Sequence, residues 1–266
     1  MEKYEVKFKK KFGQNFLKDV NLAKKIVSVA DVEPRSLVIE VGVGGAIMTR
    51  ELSSVADNVL AYEVDNDLEN ELKKRLASCN NVDILFKDFL ETNLCNDVGL
   101  YNYDNLYFIS NVPYYITTPI ILKLINSTLH FKKIVMMVQK EVGDRFSTTC
   151  GNKEYGSITV LLNYFFNIKK EFNVSRKQFV PQPNVDSVII SFTERENKEV
   201  VKDFDLFQRL VRDSFKFKRK TLKNNLKGYD LDIISLVLKK YDYTLNVRAE
   251  ALSVEIFVEM ANSLSL

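Results

Sequence analysis

Histidine is almost missing from this chain: His130 is the only one. Ser-His-Asp and Cys-His catalysis each place an imidazole beside the nucleophile, so neither is expected, and His130 reads as a loop residue. Cysteine is scarce as well. Cys79, Cys95 and Cys150 are odd in number, widely spaced and form no CxxC, a pattern of reduced thiols that offers no zinc site. No apolar run approaches the roughly 20 residues that cross a bilayer, so no membrane partner is expected. Met1-Glu-Lys-Tyr-Glu-Val-Lys7 lacks the apolar centre of a signal peptide, and the expected location is cytoplasmic. Internal repeats and low-complexity segments are also missing.

What is present is ordinary for a globular protein. The 266 residues are 46% hydrophobic and 27% charged, enough for one large domain and a small one. The charge is uneven. Residues 1–18 carry Lys3, Lys7, Lys9, Lys10, Lys11 and Lys18 against Glu2 and Glu5. Residues 209–227 carry eight Lys or Arg against Asp213 alone, whereas residues 57–97 hold ten acids and four bases, a net of −6. An acidic middle between basic ends fits contact with a polyanion at defined faces; solvated helix faces give such runs equally.

The chain is organised around Ser110-Asn111-Val112-Pro113-Tyr114-Tyr115. It follows Asn105-Leu106-Tyr107-Phe108-Ile109, a run of the kind that forms a buried parallel strand. Open α/β sheets bind ligands past the carboxyl ends of their strands. The Asn111 amide and the Pro113 carbonyl are acceptors, and Tyr114 offers a flat face, a set suited to a planar ring with an exocyclic amine. A strand stopped by a Pro turn, with Tyr in the core, is the plainer alternative.

Upstream, the spacing predicts a helix over 21–30, then the strand Leu37-Val38-Ile39-Glu40-Val41-Gly42 running into a glycine turn and a helix of about 45–54. Gly42 and Gly44 give G-x-G, but position 47 is Ile, so the dinucleotide fingerprint fails and a cofactor without pyrophosphate fits better. A second strand ends on Glu63, 21 residues after Gly42, where a doubly wound fold places a carboxylate on ribose hydroxyls. A third strand, 82–86, leads to Asp88 and Phe89, an acceptor for an adenine amine and a cover for its ring. Singly, Glu63 and Asp88 read as well as helix caps; as a set, one polar group per strand end points to a nucleoside cofactor. Helix 117–127, strand 134–138, a helix from Glu141 and an apolar helix at 157–166 continue the α/β alternation. Residues 188–192 alternate like an antiparallel strand, and beyond the polar run after Thr193 the chain is helical.

Four motifs, Gln14-Asn15-Phe16-Leu17, Glu40-Val-Gly-Val-Gly44, Asn111-Val-Pro-Tyr114 and Phe179-x-Pro-x-Pro-x-Val-Asp-Ser187, resemble those of the ribosomal RNA adenine N6,N6-dimethyltransferases. The stretches from Phe217 to Leu226 and Arg248-Ala-Glu-Ala-Leu-Ser253 look like its bacterial small-subunit branch. The motifs lie in order over nearly the whole chain. Val43-Gly44-Gly45 stands where the family often has Pro-Gly-Leu, and Val112 replaces the usual Leu.

The resemblance implies a Rossmann-like class I S-adenosylmethionine-dependent methyltransferase: a mostly parallel doubly wound sheet with an antiparallel strand (1–193, with the basic arm), plus a small all-α rRNA-docking domain (200–266). It implies S-adenosylmethionine as methyl donor, S-adenosylhomocysteine as product and no metal, with cofactor contacts from Asn15, Leu17, Gly42, Glu63, Asp88 and Asn111. The implied substrate is the N6 amine of two adjacent adenosines in a small-subunit (16S) rRNA hairpin loop of a pre-30S particle, met by a monomer during 30S biogenesis. Accepting the amine hydrogens at Asn111 and Pro113 would pyramidalise the nitrogen and aim it at the methyl group. Tyr114 and Phe179 would stack on the extruded base, each worth roughly 1–3 kcal/mol.

Arg209, Arg212, Lys216, Lys220, Lys223 and Lys227 recur every three or four residues, the spacing of one helical face, with Phe207, Leu210, Val211, Leu222 and Leu226 opposite. With Arg219 they form the expected rRNA contact, although the alternation Phe215-Lys216-Phe217-Lys218 can mark a break between two helices. Three rivals stand beside this reading: a large-subunit rRNA dimethylase, a non-catalytic ribosome-assembly factor of the same fold and a DNA amino-methylase. The last uses a related Asn/Asp-Pro-Pro-Tyr motif.

Overall fold

The computed structural model describes Lys9 and residues 13–265. The basic arm at Lys3, Lys7, Lys10 and Lys11 lies outside the described residues. The described strands are β1 (Phe16–Leu17), β2 (Ser36–Val41), β3 (Asn58–Tyr62), β4 (Val82–Leu85), β5 (Asn105–Asn111), β6 (Lys133–Gln139), β7 (Phe166–Val174), β8 (Phe179–Val180) and β9 (Ser187–Glu194). The helices of the sheet region are α1 (Val20–Ala30), α2 (Ile47–Ser53), α3 (Glu69–Arg75), α4 (Leu94–Val98), α5 (Thr117–Asn126) and α6 (Lys140–Phe146). Five more follow: α7 (Ser157–Phe165), α8 (Phe204–Ser214), α9 (Leu222–Asn225), α10 (Leu231–Lys239) and α11 (Val254–Leu264). No described helix is long and apolar enough to cross a membrane.

Seven strands form one sheet in the order β4-β3-β2-β5-β6-β9-β7, and β1 pairs with β8 apart from it. β2 through β6 run parallel, and β9 is antiparallel to β6, as the alternation at 188–192 predicts. The order reverses between β2 and β5, which makes their carboxyl ends the topological switch point where open α/β sheets bind ligands. There the β2–β5 register runs only from Ser36↔Asn105 to Ile39↔Phe108. Beyond it the buried Ser110 hydroxyl donates to Val41 O at 2.7 Å and accepts from Val41 N–H at 3.3 Å. A side chain thus satisfies the backbone groups that the parting strands release, which a buried edge requires.

Residues Met1–Gly143 and Lys169–Glu194 form one compact unit; Asp144–Ile168 and Arg195–Leu266 form the other. α7 and its approach belong to the second unit, together with the chain beyond Glu194. There Val160 and Tyr164 join a core of Phe207, Leu210, Val211, Leu222, Ile234 and Phe257. An apolar helix placed early in the chain gives no local sign of the core it completes. The helix ends at Phe165, and β7 follows without a break, a strand the sequence does not announce.

The five residues predicted to face inward behind the basic stripe, Phe207, Leu210, Val211, Leu222 and Leu226, are all buried. The stripe itself is not one helical face. α8 stops at Ser214, so Arg209 and Arg212 lie on it, Lys216, Arg219 and Lys220 occupy the connection, and Lys223 lies on the short α9. Phe215 ends the helix by turning into the core, edge-on to Tyr155 with ring centroids 6.0 Å apart.

Candidate active site

At the switch point the chain forms a cleft open to solvent, in the place where α/β sheets bind small molecules. Its walls come from residues just past four parallel strands: Gly42 and Gly44 after β2, Glu63 after β3, Lys87 and Asp88 after β4, and Asn111 to Ile116 from β5. Gly13 to Phe16 add a further wall. The predicted Asn15, Gly42, Glu63, Asp88, Asn111, Pro113 and Tyr114 thus meet around one cavity.

Gly42 and Gly44 have φ of 87° and 54°, a region costly to a residue with a Cβ. Gly44 also needs the space, since a Cβ there would lie 2.9 Å from the Phe16 ring. The turn brings Gly44 N–H to Glu63 Oε2 at 3.0 Å, while Asp65 N–H donates to Oε1 at 2.9 Å. Glu63 is 5% exposed, and burial raises its pKa against the pull of these two N–H bonds. Its remaining lone pairs can accept from a diol. Asp65 is buried in turn; Lys9 Nζ and Gln14 Nε2 reach it at 2.5 and 2.8 Å. Burial pushes the Asp65 carboxyl up, but those two bonds outweigh it and hold it below the usual range.

Glu40, in the strand before the glycine turn, is 1% exposed, and its Oε2 has no hydrogen-bond partner among the described residues. Burial pushes its pKa up to about 8, with the Glu63 charge adding to the effect. Asp88 is exposed and caps the turn that follows it, accepting from Leu90 N–H at 2.9 Å. Phe89 lines the cleft but is largely buried, edge-on to Tyr62 at 5.0 Å.

On the β5 side, Asn111 Nδ2 donates to Asn15 O at 3.4 Å. Its Oδ1 has no donor among the described residues. The Pro113 carbonyl accepts from Ile116 N–H at 3.1 Å, which leaves one lone pair. Tyr114 is half-buried, and its hydroxyl bonds the buried Ser187 Oγ at 2.7 Å.

Two predicted residues lie elsewhere. Leu17 and Phe179 pair across β1 and β8, and both side chains are buried in the core with Ile189 and Val174, at 6% and 1% exposure. Neither lines the cleft. The alternation of a strand sends Phe16, not Leu17, toward the glycine turn, and a Phe179 ring with no free face cannot stack on a base in this conformation. Tyr115 and Gln14 also line the cleft, and the buried Ser187 stands behind Tyr114; the sequence singles out none of the three for a role. Tyr115 is 57% exposed, lies against Gly13, and has its pKa raised by burial and by the charges of Asp88 and Glu63. Its place directly after Tyr114 was the one available signal.

The donor set fits a cationic nucleoside better than a nucleotide. Glu63 and Asp88 are acidic, and the Gly44 N–H that would meet a phosphate is already bound to Glu63. Sheet order and cleft together define a class I methyltransferase. The profile of the ribosomal RNA adenine dimethylase family matches residues 5–266, and the chain belongs to that family. It is 41% identical to a protein of Thermotoga neapolitana named ribosomal RNA small subunit methyltransferase A, over 98% of this chain and 94% of that one. A Bacillus mycoides protein of the same name is 39% identical over 100% and 94%. Among solved structures, a dimethyladenosine transferase from Plasmodium falciparum superposes with a TM-score of 0.77 at 28% identity, covering 92% of this chain and 95% of that one. The 23S rRNA methyltransferase ErmE superposes at 0.73 over 95% and 100%, but at 22% identity that likeness concerns the fold alone.

Proposed function

We propose that this chain methylates the N6 amines of two adjacent adenosines in a small-subunit rRNA hairpin loop, giving N6,N6-dimethyladenosine in a pre-30S particle. S-adenosylmethionine, when bound, supplies a sulfonium methyl group, and transfer of that methyl leaves the sulfur as a neutral thioether. The residues present fit it: Glu63 to hold the ribose hydroxyls, Asp88 the adenine amine, and Gly42, Asn15 and Asn111 to line the remainder. The chain acts as a monomer in the cytoplasm.

The observation that carries the reading is that Asn111, with an unused Oδ1, Pro113, with one lone pair left on its carbonyl, and Tyr114 together line an acidic cleft. An adenine amine is a poor nucleophile because its lone pair is delocalised into the ring. Two acceptors on its hydrogens localise that pair and orient it, which is positioning and electrostatic catalysis without a general base. The resulting ammonium is acidic enough to lose its proton to water. The small-subunit substrate is favoured over the large by the names of relatives 38–41% identical over nearly the full chain.

Methyl transfer from radiolabelled S-adenosylmethionine to unmethylated small-subunit and large-subunit particles tests the proposal. Label in the small-subunit rRNA, at adenosine N6, is the expected result; label confined to the large subunit or to duplex DNA overturns it.

A further inference from the structure

The connection from α8 to α9 carries an exposed aromatic ring among cations. Phe217 is 56% exposed, with Lys216 Nζ over one face of its ring at 5.7 Å from the centroid, in a run where Lys216, Lys218, Arg219 and Lys220 are all exposed as well. Its neighbour Phe215 faces the core, so the local sequence had an inward place for an aromatic ring and used it for the other residue. Phe217 is also held in place. Asn225 accepts from Phe217 N–H at 3.2 Å, and its Nδ2 donates to Ser214 O at 2.6 Å and to Phe217 O at 3.4 Å. Lys220 N–H closes the turn on Phe217 O at 2.8 Å. One amide side chain thus ties the end of α8 to the turn and holds the backbone from which the ring projects.

An exposed ring among cations matches single-stranded nucleic acid, which presents base faces and phosphates together. A paired helix hides its base faces in the stack, and cations alone suffice for its backbone. We propose that Phe217 is a stacking platform for one unpaired RNA base, with Lys216, Lys218, Arg219 and Lys220 on the flanking phosphates and Asn225 as the positioning residue. This rests on the reading that the basic stretch docks on rRNA, and it adds that the docked element contains an unpaired nucleotide.

The chain has no tryptophan, so Phe217→Trp introduces a single reporter at this site. Small-subunit particles from a strain lacking the enzyme are titrated with the wild type and with Phe217→Trp, Phe217→Leu and Phe217→Ala, each at several salt concentrations. The expected outcome is quenching of the tryptophan on binding. The Ala and Leu variants should both bind about ten-fold more weakly, with the salt slope unchanged, as for the loss of one stacked base. A Leu variant that binds as well as the wild type, or tryptophan emission unaltered at saturation, overturns the stacking platform. The salt slope separates that failure from failure of the docking reading. A normal slope with no stacking effect removes only Phe217, whereas a slope unaffected by neutralising Lys216, Lys220 and Lys223 removes the docking surface and with it the platform.

Discussion

The hydroxyl of Tyr114 and the Oγ of Ser187 are 2.7 Å apart, and Ser187 is fully buried. This bond joins two motifs that are far apart in the chain, and burial keeps the Tyr114 hydroxyl protonated by raising its pKa. The ring that faces the cleft is therefore fixed from behind. Tyr114→Phe keeps the ring and loses the bond, so it should cost about 0.5–1.5 kcal/mol of stability and only a few-fold in kcat/KM. Tyr114→Ala should remove nearly all activity. Equal activities of the two variants in methyl-transfer assays contradict the stacking role of Tyr114.

Glu63→Ala should weaken S-adenosylmethionine binding by about 1.5–3 kcal/mol, the range for hydrogen bonds to a charged group. The variant also strands the N–H groups of Gly44 and Asp65, so the melting temperature without ligand should fall too. Titration calorimetry beside thermal unfolding separates the effects. A large loss of stability with unchanged affinity makes Glu63 purely structural.

Glu40 should give the fold a pH dependence. Its folded-state pKa is raised from the ordinary 4.5 to about 8, so between those values the folded chain holds a proton that the unfolded chain has lost. Its contribution is fully present below the lower value and is lost as pH rises through the upper. Glu40→Gln, which removes the titration, should gain melting temperature relative to the wild type between about pH 5 and about pH 8.5. A difference that stays constant with pH places the ionised carboxylate in the folded state throughout.

The basic stretch should set the salt dependence of RNA binding. Changing Lys216, Lys220 and Lys223 together to Gln should flatten log K against log salt by roughly two to three units, at about 0.7–0.9 per phosphate contact. Cofactor affinity should stay the same, since none of the three lines the cleft. An unaltered slope on small-subunit particles leaves this stretch a solvated surface and moves the search for RNA contacts to the Lys7–Lys11 arm.

The parallel strands and their polar ends were legible because buried strands are written as continuous apolar runs, and the chain places one polar residue at each strand end. β7 was not, because Phe-Asn-Ile-Lys-Lys-Glu-Phe-Asn-Val carries charges and is exposed along much of its length, as the last strand of the sheet order. The burial of Leu17 and Phe179 away from the cleft is not legible for a related reason. Their orientation follows from the β1–β8 pairing, which joins Phe16 to Val180, and nothing local to either segment encodes it. The buried side of the basic stretch and the exposure of its cations are legible in the spacing. Helical spacing continued across a turn made it look like a single face.

The most direct test maps modified nucleosides in rRNA from a strain deleted for this enzyme and complemented with the wild type or with Asn111→Ala. Mass spectrometry of the small-subunit rRNA should find N6,N6-dimethyladenosine at two adjacent positions with the wild type and none with Asn111→Ala. Dimethyladenosine that persists with Asn111→Ala, or that the wild type restores only in the large subunit, contradicts the account.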